Sequence, residues 1–167
     1  MQRCAGAFAF AACRKALELA PQGSATRAIL SLTLLALGRG EEALAEAGRE
    51  LQESLRFWAL AIVHYGLGHA AESDCALQEL IEKYSEGWAH QIAEVYAVRG
   101  EADRAFEWLE RAYAQRDSGL SEMKPNPRLR FLHGDPRWGA FLKKMGLVST
   151  VIQSSPPAVT EISPPWV

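Results

Sequence analysis

Three short glycine turns recur along the chain at a nearly constant interval: Leu37-Gly38-Arg39-Gly40, Leu67-Gly68-His69-Ala70 and Arg99-Gly100-Glu101-Ala102. Gly38 and Gly68 are 30 residues apart, and Gly68 and Gly100 are 32 apart. Each glycine closes one amphipathic run and opens another, as expected of a residue that accepts the left-handed conformation at a helix C-terminus. Ser24, Ser54 and Ser85 keep the same interval, each just ahead of an apolar run, and are expected to cap helix N-termini. A period of this size holding two helices predicts an all-α stack of helical hairpins, in which each hairpin buries its apolar face on the next. Composition agrees. Ala and Leu supply 27 and 20 residues, whereas Val, Ile and Thr together supply 17, which favours helix over strand.

The residues between the landmarks are small and large in a fixed order. Ala93, Tyr96, Gly100, Ala105, Leu109 and Ala112 form one set within Glu86–Tyr113. Leu60, Ala61, His64, Gly68, Leu77 and Leu80 repeat it, with Ser73 where an Ala is usual, and Leu30, Ser31, Leu34, Gly38, Ala43 and Ala47 repeat it again. In this order and spacing the chain resembles the tetratricopeptide repeat. The resemblance covers about residues 5–116 and implies a right-handed solenoid of antiparallel hairpins. Its units are a half repeat at 1–23 and repeats at 24–53, 54–85 and 86–117. The opening Ala9, Cys13 and Ala16-Leu17-Glu18-Leu19-Ala20-Pro21 look like the second helix of a repeat that lacks its first.

Beyond residue 117 the composition changes. One proline precedes residue 125 and seven lie from residue 125 onward. Residues 118–148 carry six basic and two acidic groups, against 12 and 17 in residues 1–117. Asn126-Pro127-Arg128-Leu129 and Asp135-Pro136-Arg137-Trp138 each read as an N-cap followed by a first-turn proline, and Gly134 and Gly146 read as stops. The segment resembles the closing piece of bacterial repeat proteins. Two short helices are expected to cover the last hairpin, with Phe131, Trp138 and Phe141 facing inward. Residues 149–167, rich in Ser and Pro, read as an extended mobile tail.

Chemistry-bearing patterns are few. There is no phosphate loop, GxSxG, HExxH or paired-cysteine cluster, so the expectation is a protein that is not an enzyme and holds no metal or cofactor. His64 and His69, five apart with a glycine turn between them, do not share a helical face, and His64 is expected to pack within its hairpin. His90 and Glu94 do share one. Glu101, Asp103, Glu107 and Glu110 suggest a solvated face. Cys13 and Cys75 fall within apolar patterns and read as buried free thiols in a reducing, cytoplasmic setting. No apolar run is long enough to span a membrane. A net charge of −2 argues against nucleic acid despite the basic segment.

The resemblance also implies a concave face lined by the first helix of each hairpin. Mapped onto this chain, that face carries Leu32 and Leu35, then Trp58, Ile62 and Tyr65, then His90 and Glu94, which are the candidate partner-binding residues. Trp58 and Tyr65 are its expected aromatic anchors. The expected role is that of a non-enzymatic scaffold binding a protein, peptide or helix in an apolar groove. The run Ala28–Leu37, apolar on all sides, must be covered, and self-association through the N-terminal helices is one way to do so. The alternative is a regulatory or sensing fragment of a bacterial transcription regulator, cyclase or kinase, an origin to which the opening half repeat points.

Overall fold

A computed structural model describes residues 2–23 and 25–147, without the side chains of residues 2–6. All regular structure among these residues is helical. Eight α-helices run in order: α1 (Gln2–Leu19), α2 (Thr26–Ala36), α3 (Gly40–Gly48), α4 (Glu53–Gly66), α5 (Ala70–Tyr84), α6 (Ala89–Val98), α7 (Ala102–Gln115) and α8 (Pro136–Lys144). Two 3-10 helices, η1 (Ser118–Glu122) and η2 (Pro127–Gly134), lie between α7 and α8. The expected tail, 149–167, lies outside the described residues.

Helices pack most extensively in consecutive pairs, α2 with α3, α4 with α5 and α6 with α7. The turn inside each pair is the glycine turn read from the sequence. Gly38, Gly68 and Gly100 have φ of 77°, 81° and 77°, a region that favours glycine. Each turn closes with the same two bonds. Gly68 N–H donates to Tyr65 O at 3.0 Å and His69 N–H donates to His64 O at 2.9 Å, and the other two turns repeat the pattern. The first helices of the pairs then touch in series, α2 with α4 and α4 with α6. At these contacts the small residues have no accessible surface: Ala28, Ala43, Ala47, Ala59, Ala61, Ala93, Ala105 and Ala112. Removing a side chain's bulk there lets the helix axes approach, and Leu30, Leu34, Leu80, Ile92 and Leu109 fill the space between.

The serine caps are not observed. Ser54 lies inside α4, Ser85 is the C-terminal residue bounding α5, and Ser24 is outside the described residues. Among the described residues, no N-cap side chain of α2 through α7 caps its own helix. For α2 and α6 an acceptor comes instead from across the hairpin. Glu50, just past α3, accepts from Ala28 N–H in the first turn of α2 at 3.1 Å. Asp117, just past α7, accepts from His90 N–H in the first turn of α6 at 3.1 Å. A carboxylate therefore meets the free N–H groups and the positive end of each helix from its partner's far end.

The closing segment behaves as its Asx-Pro pairs predict. Asn126 accepts from Arg128 N–H at 3.0 Å and Asp135 from Arg137 N–H at 2.9 Å, with Pro127 and Pro136 in the first helical turns. Trp138 and Phe141 face inward, but Phe131 is 60% exposed, against expectation. The acidic face of α7 is not merely solvated. Arg137 pairs with Asp103 at 2.8 Å, and Lys144 pairs with Glu110. Two of the six basic groups of residues 118–148 thus pair with the helix that the segment covers.

Candidate functional site

A cleft of about 850 Å³ opens where α2, α4 and α6 lie side by side. Leu32, Leu35 and Ala36 come from α2, Ile62 and Tyr65 from α4, and Ala97 and Val98 from α6. Ala9 of α1 lines one side, and Pro127, Arg128 and Phe131 of η2 line another. The spacing explains the assembly. Residues three and four apart share a helical face, and three such faces point the same way because the first helices stack in series. Ile29 and Tyr65, each 39% exposed, and Phe131 leave apolar surface open to solvent at the cleft. A concave apolar site with a few polar groups is the usual form of a ligand or peptide site.

The polar groups at the cleft are held firmly. Tyr65 Oη donates to Arg99 O at 3.1 Å, across the α4–α6 contact. The Arg99 guanidinium donates to Ser73 Oγ at 2.9 Å and to Asp74 at 2.5 Å, and it lies 5.7 Å from the Tyr65 ring centre. Ser73 in turn donates to Ala61 O at 2.6 Å. Ser73 thus joins α4, α5 and the turn after α6.

Four of the seven candidate partner residues, Leu32, Leu35, Ile62 and Tyr65, line this cleft. The other three do not. Trp58 is 3% exposed and lies beneath Arg128, whose guanidinium sits 4.9 Å from the ring centre, so it is not an open anchor. His90 and Glu94 are 3% and 2% exposed, buried under residues 117–128. Arg128 Nε is 3.2 Å from Glu94 Oε2, an ion pair without hydrogen-bond alignment, and Asn126 donates to Glu94 Oε1. His90 Nδ1 is 3.9 Å from Glu94 Oε1, beyond hydrogen-bond reach. A Cβ at Gly119 would come within 2.7 Å of His90 Nδ1, so only glycine lets the chain cross the imidazole there. His90 and Glu94 are therefore covered by the chain itself, while Ala97 and Val98 of the same helix remain at the cleft. Arg99, Arg128 and Phe131 were not among the expected residues; Phe131 falls out of step with Leu129 and Leu132, which are three apart and buried, and that offset was the available signal.

Other expectations are corrected too. Cys75 is exposed, while Cys13 is half-buried and burial pushes its thiol above the usual value. His64 and His69 share no helical face, since α4 ends at Gly66, but their rings meet across the turn. The glycine turn folds α5 back so that their Nδ1 atoms lie 3.4 Å apart. No described helix is long and apolar enough to cross a membrane.

No protein-family model matches the chain, and neither the curated proteins nor the solved structures compared with it gave a match.

Proposed function

We propose that the chain is a protein-interaction module of tetratricopeptide-like architecture, a short solenoid of helical hairpins that binds an apolar peptide or helix in the cleft between α2, α4 and α6. The reading of the array rests on the period of the glycine turns, the recurring turn geometry and the serial contact of α2, α4 and α6. The single observation that carries the binding role is the open apolar cleft. Leu32, Leu35 and Ile62 form its floor, while Tyr65 and Phe131 stand at its edges with rings partly in water. An amphipathic helix would lay its apolar stripe along that floor, the mode by which helical grooves recognise partners. Tyr65 is the anchor of choice, since its hydroxyl is already bonded to Arg99 O and its ring is therefore fixed before binding.

A displayed library of helical peptides, selected on the immobilised protein, tests this reading. Selected peptides should carry apolar residues at i, i+3, i+4 and i+7. Tyr65→Ala should weaken the best of them by about 2 kcal/mol or more with little loss of protein stability. A Leu32→Glu variant that folds normally and still binds the selected peptides with unchanged affinity contradicts the assignment of the cleft.

A further inference from the structure

The turn between α4 and α5 differs from its two counterparts in what it brings together. In all three turns the residue two before the C-terminal end of the first helix is bonded to the residue that follows the turn glycine. That bond places the two side chains next to one another, and an apolar contact is the usual result. Here the pair is His64 and His69, with His69 N–H donating to His64 O at 2.9 Å. The rings face each other through Nδ1, 3.4 Å apart, with ring centres 5.7 Å apart and planes tilted by 48°.

A direct bond between the rings is a poor use of this arrangement. One Nδ1 would have to carry a proton and point it at the other's lone pair, and 3.4 Å exceeds the roughly 2.7–3.2 Å of ordinary hydrogen bonds. The separation suits a shared metal ion better. Zinc holds imidazole nitrogen at about 2.0–2.1 Å in a tetrahedron, which sets two such nitrogens about 3.3 Å apart. The Nδ1 atoms of the pair already lie at that spacing, and the backbone bond beneath keeps the two residues in register. We propose that His64 and His69 form a two-imidazole site for a divalent transition-metal ion of the zinc class, with the remaining tetrahedral positions taken by water. Glu72, one turn further on α5, places negative charge near the pair.

Zinc chloride titrated into the full chain, kept reduced by a phosphine in slightly alkaline buffer and followed by calorimetry, tests the site. One equivalent should bind. His69→Ala, which removes an exposed ring, should weaken binding about tenfold or more while leaving the helical circular dichroism intact, and His64→Ala should do the same. Cys75→Ser should leave the affinity unchanged, and cobalt in place of zinc should give a tetrahedral visible spectrum without a thiolate charge-transfer band. Absence of binding, binding that survives His69→Ala, or a thiolate band that disappears with Cys75→Ser would each overturn the proposal.

Discussion

Ala93 and Ala105 face one another's helices with no accessible surface, and their value lies in what they lack. A longer side chain at either position would push α6 and α7 apart. Ala93→Leu and Ala105→Leu are each expected to lower stability by about 1–3 kcal/mol, seen as a lower denaturant midpoint at unchanged slope. At this scale the sequence was readable where the requirement is local. A glycine in a helix-closing turn and an Asx-Pro pair at a helix start each act within a few residues. Trp58 shows the opposite case. Its spacing places it correctly on the shared face of α4, but the Arg128 that covers it comes from a segment far along the chain. No pattern around Trp58 announces that contact.

Helix starts are where local reading failed, for a physical reason. Free N–H groups need an acceptor, and a serine just before the helix is the obvious one. In α2 and α6 the acceptor comes from the far end of the paired helix, through Glu50 and Asp117. Cap and hairpin are thereby coupled, since forming the pair is what satisfies the helix. Glu50→Ala should cost about 1–2 kcal/mol and increase hydrogen exchange at the first turn of α2 specifically. The start of α8 is different, because Asp135 caps it locally. The Arg137 guanidinium and its N–H hold the Asp135 carboxyl down to about 2, from an ordinary 3.8. A carboxyl depressed by folding stabilises above its unfolded pKa, and that contribution is lost as pH falls through the folded value. The α8 anchor should therefore hold above about pH 4 and loosen towards pH 2. Near-ultraviolet dichroism of Trp138 should follow that loosening, and Asp135→Asn should diminish the acid transition.

At the level of the whole molecule, the closing segment decides which part of the stacked face remains open. Asn126 and Arg128 cross α6 and engage Glu94, while η2 delivers Phe131 to the edge of the cleft. The pattern of Leu32, Leu35, Ile62 and Tyr65 was legible because each helix alone sets it. The loss of Trp58, His90 and Glu94 from the face was not, because it depends on how residues 118–134 fold back. Arg128→Ala leaves the Glu94 carboxylate buried with Asn126 as its remaining polar partner, and should destabilise the protein by about 2–4 kcal/mol. That variant should also bare Trp58, which a red-shifted tryptophan emission would report. The cleft itself is the centre of the account, and it is tested most directly by photo-crosslinking in the native cell. A photoreactive phenylalanine analogue is placed at Phe131, at Tyr65 or, as a control, at Glu79 on α5. The account predicts that the first two positions capture the same protein, that Leu32→Glu abolishes both adducts, and that position 79 captures nothing in common with them. Adducts unaffected by Leu32→Glu, or shared equally with position 79, would contradict it.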